Sequence, residues 1–229
     1  MNFQAFNLDT ASAKKADSEG SRISQTGKYV GKIIRFEFIQ SQKGTQGVEI
    51  FFEDDDKNEA NMSLWTFSAD GTPIFGRDKV NALMACTMTK TLTPTEAQVE
   101  KYDFDLKAKI VQPVTVAQEL ANKRVGFLIQ MEEYVNNAGE VKSKPTLVSS
   151  FQADTGLMAK EILDRKTSPE QLEKAYARLM KNGDKKVKQE QQSNGGGYGS
   201  NQSAPSGAGG ATSDLDDDLP FACLDHRLV

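Results

Sequence analysis

Apolar and polar residues alternate along residues 27–39, a stretch rich in β-branched and aromatic side chains. Val30, Ile34, Phe36 and Phe38 recur there at a period of two. Because successive side chains of a strand point to opposite faces, this spacing predicts a β-strand. We expect these four residues to form its inward face.

The alternation continues in residues 48–53 and 61–67, and a short polar loop precedes each of these segments. Three successive strands joined by short loops predict an antiparallel meander. The positions that alternation assigns to its inward side are Val48, Ile50, Phe52, Met62 and Leu64.

Helical spacing marks residues 76–88, and a second helix is predicted over 168–182 with Ser168 as its cap. Shorter helices are predicted after Pro94 and over residues 156–164. Strands and helices do not alternate regularly along the chain. This order predicts a mainly β fold with peripheral α-helices rather than a βαβ repeat. Further strands are predicted at residues 102–106, 107–111, 125–131 and 141–151.

Composition divides the chain of 229 residues into three parts. Residues 1–26 form a mixed polar arm, and residues 27–182 form one folded domain with C-terminal helices. Residues 183–229 have too few apolar side chains to offset the entropy of ordering them, so we predict a disordered tail. This tail carries most of the net charge of −4. The rest of the chain is nearly neutral, so a nucleic-acid site would need local clusters of Lys and Arg.

The two cysteines, Cys86 and Cys223, lie far apart in the sequence. This separation favours a reducing compartment over a disulfide framework. No apolar run approaches the roughly 20 residues of a membrane span, and the N-terminal residues lack an apolar signal core. We therefore expect a soluble, cytoplasmic protein.

The segment from Asp214 to Phe221 reads Asp-Leu-Asp-Asp-Asp-Leu-Pro-Phe and follows a Gly-rich linker. Its four carboxylates and apolar end suit a basic groove with an apolar pocket on a partner protein. The flexible linker would raise the effective concentration of a captured partner. A solubilising acidic end is the alternative, since acidic runs commonly have that role.

The linker and acidic segment resemble the tip of bacterial single-stranded-DNA-binding proteins, in which an OB-fold binds DNA and the tip recruits replication and repair proteins. The folded domain, with Gly27-Lys-Tyr29 and Lys43-Gly-Thr-Gln-Gly-Val-Glu-Ile50, is more similar to a phage-encoded counterpart. The resemblance implies an OB-like antiparallel β-barrel that binds single-stranded DNA without sequence specificity in the cytoplasm of the bacterial host. It implies partner binding by Asp216, Asp217, Asp218, Leu219, Pro220 and Phe221, and we include Asp214 as a further carboxylate of the same acidic segment.

In that family the phenylalanine of the tip is the last residue of the chain. This chain instead continues after Phe221. Residues 222–229 follow here, so Phe221 has no free carboxylate, and Arg227 adds a positive charge nearby. We therefore expect docking that is weaker, altered or dependent on trimming. A terminus with a partner of its own is the alternative.

Binding of single strands without sequence preference needs aromatic faces for bases and cations for phosphates. If Met62 and Leu64 point inward, Trp65 and Phe67 point outward. Packing within the fold is the alternative for each aromatic residue, and a solvated surface is the alternative for each cation. The candidate nucleic-acid-binding residues are Lys32, Arg35, Phe51, Trp65, Phe67, Arg77, Lys79, Lys107, Lys109, Lys123 and Arg124.

Catalytic chemistry has little support in the sequence. The only histidine, His226, lies in the tail, so none is available to activate Cys86 in the folded domain. A phosphate-binding Gly-rich loop and a Cys/His metal cluster are both missing, so we predict no cofactor and no catalytic or metal-binding residue. Residues 54–56, three aspartates, are interpreted as a solvated turn. A replication-protein adaptor with little DNA affinity and a metal-dependent nuclease are the alternative functions.

Overall fold

The computed structural model describes Thr10 and residues 21–103, 108–136 and 138–187. Within these residues, one antiparallel sheet of seven strands is accompanied by three α-helices and a 3-10 helix, which confirms a mainly β fold with few helices. The strands are β1 (Gly27–Gln40), β2 (Gln46–Asp54), β3 (Glu59–Phe67), β4 (Pro94–Asp103), β5 (Ala108–Ala117), β6 (Arg124–Val135) and β7 (Val141–Phe151). The helices are α1 (Phe75–Cys86), α2 (Ala159–Leu163), α3 (Gln171–Asn182) and the 3-10 helix Gln118–Leu120.

β1 is the central strand because it pairs along both of its edges. One edge pairs with β2 from Gly31 to Gln40. β6 and β5 share the other edge: β6 pairs with residues 27–32, whereas β5 pairs only with Glu37 and Phe38. β3, β4 and β7 extend the sheet from β2, β5 and β6. In the described residues no ladder joins β3 to β7, and α1 packs against both of these strands.

The inward side of the meander forms the main core. The ring of Phe52 packs against Phe127 of β6, with ring centroids 4.8 Å apart. A second apolar cluster joins Leu128 and Phe151 to the buried leucines of α3, so this helix covers the opposite side of β6 and β7. All five inward positions predicted for β2 and β3 are buried, which confirms that part of the pattern: Val48, Ile50, Phe52, Met62 and Leu64.

The inward face predicted for β1 is wrong at Val30 and Ile34. A bulge between Ile33 and Arg35 shifts the register of β1 against β2. A bulge adds one residue to a strand and exchanges the faces on either side of it. As a result, Ile33 is fully buried, Ile34 is 39% exposed, and Val30 packs in the α3 cluster. The other two positions lie in or against the main core as predicted: Phe36 and Phe38.

Two predicted helix starts are also wrong. Pro94 begins strand β4 instead of a helix, and β4 lies at the edge of the sheet, where a residue without an N–H group is tolerated. α3 begins at Gln171 rather than Ser168. The buried carboxylate of Glu161 accepts hydrogen bonds from the N–H groups of Glu170 and Gln171. This side chain therefore does the capping that the sequence pattern assigned to Ser168.

We predict that Gly76→Ala destabilises the protein. A Cβ at Gly76, in the first turn of α1, would lie 2.0 Å from the carbonyl oxygen of Trp65. Gly to Ala in a helix ordinarily stabilises by about 1 kcal/mol. Here we expect overpacking to lower the free energy of unfolding by about 2 kcal/mol. Urea unfolding measures the change, with Asn81→Ala at an exposed position of α1 as the control. A stabilised Gly76→Ala variant would contradict the close contact between α1 and β3.

Candidate nucleic-acid interface

The outward side of β2 and β3 carries three half-buried aromatic residues, Phe51, Trp65 and Phe67. Trp65 pairs across the ladder with Gly47 of β2. A Cβ at Gly47 would come within 2.7 Å of the indole ring, so the ring lies directly on the backbone of β2. The structure thus places the three predicted aromatic residues on one side of the sheet and fixes Trp65 through its contact with a glycine.

Arg35 and Phe51 are cross-strand neighbours on this side and contact each other. The guanidinium carbon of Arg35 lies 3.7 Å from the centroid of the Phe51 ring. Arg35 also donates from Nε to the carboxylate of Glu37, and Nζ of Lys101 donates to the other carboxylate oxygen at 2.6 Å. Glu37 is only 2% exposed, so these two cations replace water as its partners. Arg35 is therefore engaged within the fold.

A second carboxylate adjoins this network. Glu49 of β2 pairs across the ladder with Glu37 of β1. Burial, and secondarily the charge of Glu37, raise the pKa of Glu49, while Lys101 and Arg35 act in the opposite direction. Two carboxylates face two cations here, so this side of the sheet has little positive charge left for a phosphate.

Cations and aromatic rings also flank the start of α1. The guanidinium carbon of Arg77 lies 5.7 Å from the centroid of the Phe67 ring. Nζ of Lys79 lies 5.2 Å from the centroid of the Phe75 ring, and Phe75 is 72% exposed. Residues two apart point to nearly opposite sides of a helix. α1 therefore presents Arg77 beside β3 and Lys79 beside β7.

The β6–β7 hairpin continues this arrangement. Nζ of Lys79 donates a hydrogen bond of 2.5 Å to the carbonyl oxygen of Leu147 in β7. In the same strand, Nζ of Lys144 lies 5.4 Å from the centroid of the Tyr134 ring of β6. Lys79, the cation of the helix pair, thus contacts the same strand that carries Lys144, the cation of the hairpin pair.

Lys79 and Lys144 are close enough to two further charges to be influenced by both. Burial lowers the pKa of each lysine; the carboxylate of Glu132 opposes this effect, and Lys185 adds to it. Lys185 itself forms an ion pair with Glu132. We call these four residues the lysine cluster. It combines three lysines with one carboxylate. Two further carboxylates adjoin it, since Asp184 accepts a hydrogen bond from Thr26 and Glu133 accepts one from the N–H of Val187.

Four residues near the start of α1 and the β6–β7 hairpin were not among the candidate nucleic-acid-binding residues predicted from the sequence: Phe75, Tyr134, Lys144 and Lys185. For Lys144 a signal is present, because Lys142 and Lys144 recur at strand spacing next to a predicted turn. Its closeness to Tyr134 depends on the register of β6 and β7. The influence of Glu132 on both Lys144 and Lys79 depends on the packing of α1, which no local pattern reveals.

Two predicted cations lie in ion pairs elsewhere. Nζ of Lys32 is 3.2 Å from a carboxylate oxygen of Glu53, and Arg124 donates two hydrogen bonds to Asp55, at 3.1 and 2.8 Å. Arg124 precedes Glu132 by eight residues in β6, which corresponds to roughly 26 Å along a strand. These cations are therefore far from the lysine cluster.

Two further predicted cations lie on other parts of the fold. Lys123 is exposed beside Arg124, and Lys109 is exposed on β5. Lys107 and the predicted partner-binding segment, residues 214–221, lie outside the residues that the structure describes.

The structure also shows the surroundings of Cys86 and of the aspartates that follow the second predicted strand. Cys86 lies in the main core, and burial raises the pKa of its thiol to about 12. Asp54 is the last residue of β2, is only 6% exposed and accepts two hydrogen bonds from Asn58, so the solvated turn predicted for residues 54–56 is wrong at Asp54. Asp55, in the turn that follows, pairs with Arg124. These carboxylates thus have separate partners. Across the part of the chain that the structure describes, no group of three or more His, Cys, Asp or Glu side chains is arranged to hold a metal ion.

No protein-family model matches the chain, and no curated protein matches it in sequence. Among the described helices, none has the length and apolar character needed to cross a membrane. The function must therefore be inferred from the residues of the site.

We predict that Glu37→Gln destabilises the fold and that Glu49→Gln does not. Removing one partner of a buried ion pair leaves the others uncompensated, and we expect Glu37→Gln to cost about 3 kcal/mol. Glu49 has a raised pKa, so its charged form is disfavoured in the folded protein and its neutralisation is expected to be harmless or slightly stabilising. Urea unfolding at neutral pH compares the two variants. Equal losses would contradict a specific role for Glu37.

Proposed function

We propose that this protein binds single-stranded DNA without sequence specificity and that its domain is an OB-like β-barrel. An OB-fold is a partly open barrel of five strands that binds oligonucleotides on its second and third strands and adjacent loops. In this proposal β1, β2, β3, β6 and β7 are the five barrel strands, and β4 and β5 are an inserted hairpin. The pairing of β1 with both β2 and β6 supports this assignment, as do the contacts of α1 with β3 and β7.

Three cation–ring pairs carry the functional proposal. They lie at the end of β3, at the start of α1 and on the β6–β7 hairpin, next to the strands and loop that bind oligonucleotides in OB-folds. Single-strand binding without sequence preference combines aromatic faces for bases with cations for phosphates, and each stacked base contributes about 1–3 kcal/mol. The pairs are Arg77 with Phe67, Lys79 with Phe75, and Lys144 with Tyr134.

The tail supplies the second part of the proposal. We assign residues 214–221 the role of recruiting a replication or recombination protein to the bound strand, in the cytoplasm of a bacterial host. The support is the resemblance of this acidic segment to the tip of bacterial single-stranded-DNA-binding proteins. The protein is proposed to act by binding and recruitment, without catalysis.

The adaptor is the second candidate function. The pairing of Arg35, Lys32 and Arg124 with carboxylates favours it, because these cations are partly neutralised already. Salt dependence separates the two functions, since displacement of counterions from a polynucleotide makes its binding weaken steeply as salt rises. An adaptor would bind oligonucleotides weakly even at low salt.

We predict that the full chain binds fluorescent oligo-dT tightly at low salt and releases it as salt rises. Each phosphate contact to a single strand adds about −0.7 to the slope of log K against log salt concentration. Contacts from Arg77, Lys79 and Lys144 would therefore give a slope of roughly −2. Trp65, the only tryptophan, reports independently through its fluorescence. Quenching would place a base at Trp65, and absence of binding at low salt would leave the adaptor as the better candidate.

We predict that Lys144→Ala weakens oligo-dT binding and makes the salt slope shallower by about 0.7. Lys123→Ala removes the same charge from an exposed position beside Arg124, at the other end of β6, and is expected to leave both quantities nearly unchanged. The comparison separates a local site from the overall charge. Equal losses in the two variants would show that DNA binding does not depend on the lysine cluster.

A further inference from the structure

The chain immediately after α3 forms part of the sheet. The N–H of Lys185 donates to the carbonyl oxygen of Met131 in β6, and the N–H of Glu133 donates to the carbonyl oxygen of Lys185, each at 2.8 Å. The side-chain amide of Gln130 donates to the carbonyl oxygen of Gly183 at 2.6 Å. Residues 183–187, which the composition assigns to the tail, therefore lie along β6 as a short parallel addition.

This addition occupies an edge of β6 that β1 leaves open. The pairing of β1 with β6 ends at Gly27 and Ile129, so the next residues of β6 have no partner in β1. Thr26 bridges the gap: its hydroxyl accepts the N–H of Met131 at 2.8 Å and donates to the carboxylate of Asp184 at 2.5 Å. The contacts of this segment with the sheet thus involve both its backbone and its side chains.

The position of the segment brings Lys185 to Glu132. Lys185 donates from Nζ to one carboxylate oxygen of Glu132, and Thr146 donates to the other oxygen at 3.1 Å. Glu132 is also the carboxylate that acts on both Lys79 and Lys144. A lysine held by backbone hydrogen bonds therefore satisfies the single carboxylate of the lysine cluster.

We propose that residues 183–187 are a built part of the polynucleotide site, in which Lys185 neutralises Glu132 so that Lys79 and Lys144 can receive a phosphate. This inference rests on the proposed DNA-binding function. Without Lys185, the uncompensated charge of Glu132 would attract Lys144, its partner across the β6–β7 ladder, and would repel a phosphate bound there. Lys185 is thus a positioning residue that acts through Glu132, and the start of the tail is part of the domain that binds the strand.

Matched lysine variants of the full chain test the role of position 185. Lys185→Ala and Lys186→Ala make the same change in net charge one residue apart, and Lys186 is exposed. We expect Lys185→Ala to weaken oligo-dT binding roughly tenfold, because it leaves the charge of Glu132 uncompensated. Lys186→Ala is expected to change it by no more than about twofold. Equal losses would overturn the inference.

The same pair of lysine variants in a Glu132→Gln background tests the mechanism. If Lys185 acts by neutralising Glu132, its loss has little effect once the carboxylate is absent, and the tenfold difference shrinks to roughly threefold or less. If Lys185 contacts the phosphate directly, Lys185→Ala weakens binding equally in both backgrounds. That second outcome would overturn the proposed role.

Hydrogen exchange without DNA provides a readout independent of DNA binding. The amide of Glu133 donates to Lys185, so we expect slow exchange in the wild-type protein and in Lys186→Ala. Fast exchange in the wild type would show that residues 183–187 do not lie on β6 and would overturn the inference while leaving DNA binding intact. A wild-type protein that fails to bind oligo-dT at low salt would overturn the proposed function together with this inference.

Discussion

β1 pairs with three other strands along its 14 residues, and the way its edges are shared determines where those strands lie. Its first half holds β6 and its second half holds β5 on one edge, while β2 runs along the other. The bulge between Ile33 and Arg35 changes the direction of the strand, because bulges bend a strand and increase its local twist. Gly31 allows the close approach of β2, since a Cβ there would lie 2.1 Å from the carbonyl oxygen of Glu53.

The buried charges on the outward side of the sheet lie where β5 pairs with β1, at Glu37 and Phe38. Two residue pairs fix the direction of the β4–β5 hairpin only weakly, and the contact of Lys101 with Glu37 adds a second attachment. A buried ion pair seldom adds net stability relative to an apolar contact, but it specifies one geometry. Arg35 and Glu37 are therefore best understood as structural residues. This leaves the start of α1 and the β6–β7 hairpin as the better location for phosphate contacts.

Local patterns were largely sufficient for β2 and β3, where all five residues that strict alternation assigned to the inward side are buried. Ala60, a core residue of β3, was missed because it precedes the predicted start of the strand at residue 61. Local patterns failed at β1, because a bulge has no fixed residue signature and exchanges the faces on either side of it. At Pro94 the same residue suits both the first turn of a helix and an edge strand, and tertiary pairing decides between them. Trp65 and Phe67 could be placed on the outward side from the pattern alone. The neighbourhood of Lys79, Lys144 and Lys185 could not, because three separate elements contribute one lysine each.

The near-neutral charge of the folded domain does not argue against the proposed binding of a polyanion. At physiological ionic strength charges are screened over about 8 Å, so a phosphate responds to the groups within that distance. Arg124 and Glu132 are separated by roughly 26 Å along β6, about three screening lengths. The ion pairs at the start of β6 would therefore neither help nor hinder binding of a polynucleotide at the proposed site beside β7. At the proposed site the relevant quantity is the negative charge of Glu132. Lys185 forms an ion pair with this carboxylate, and backbone hydrogen bonds hold Lys185 against β6.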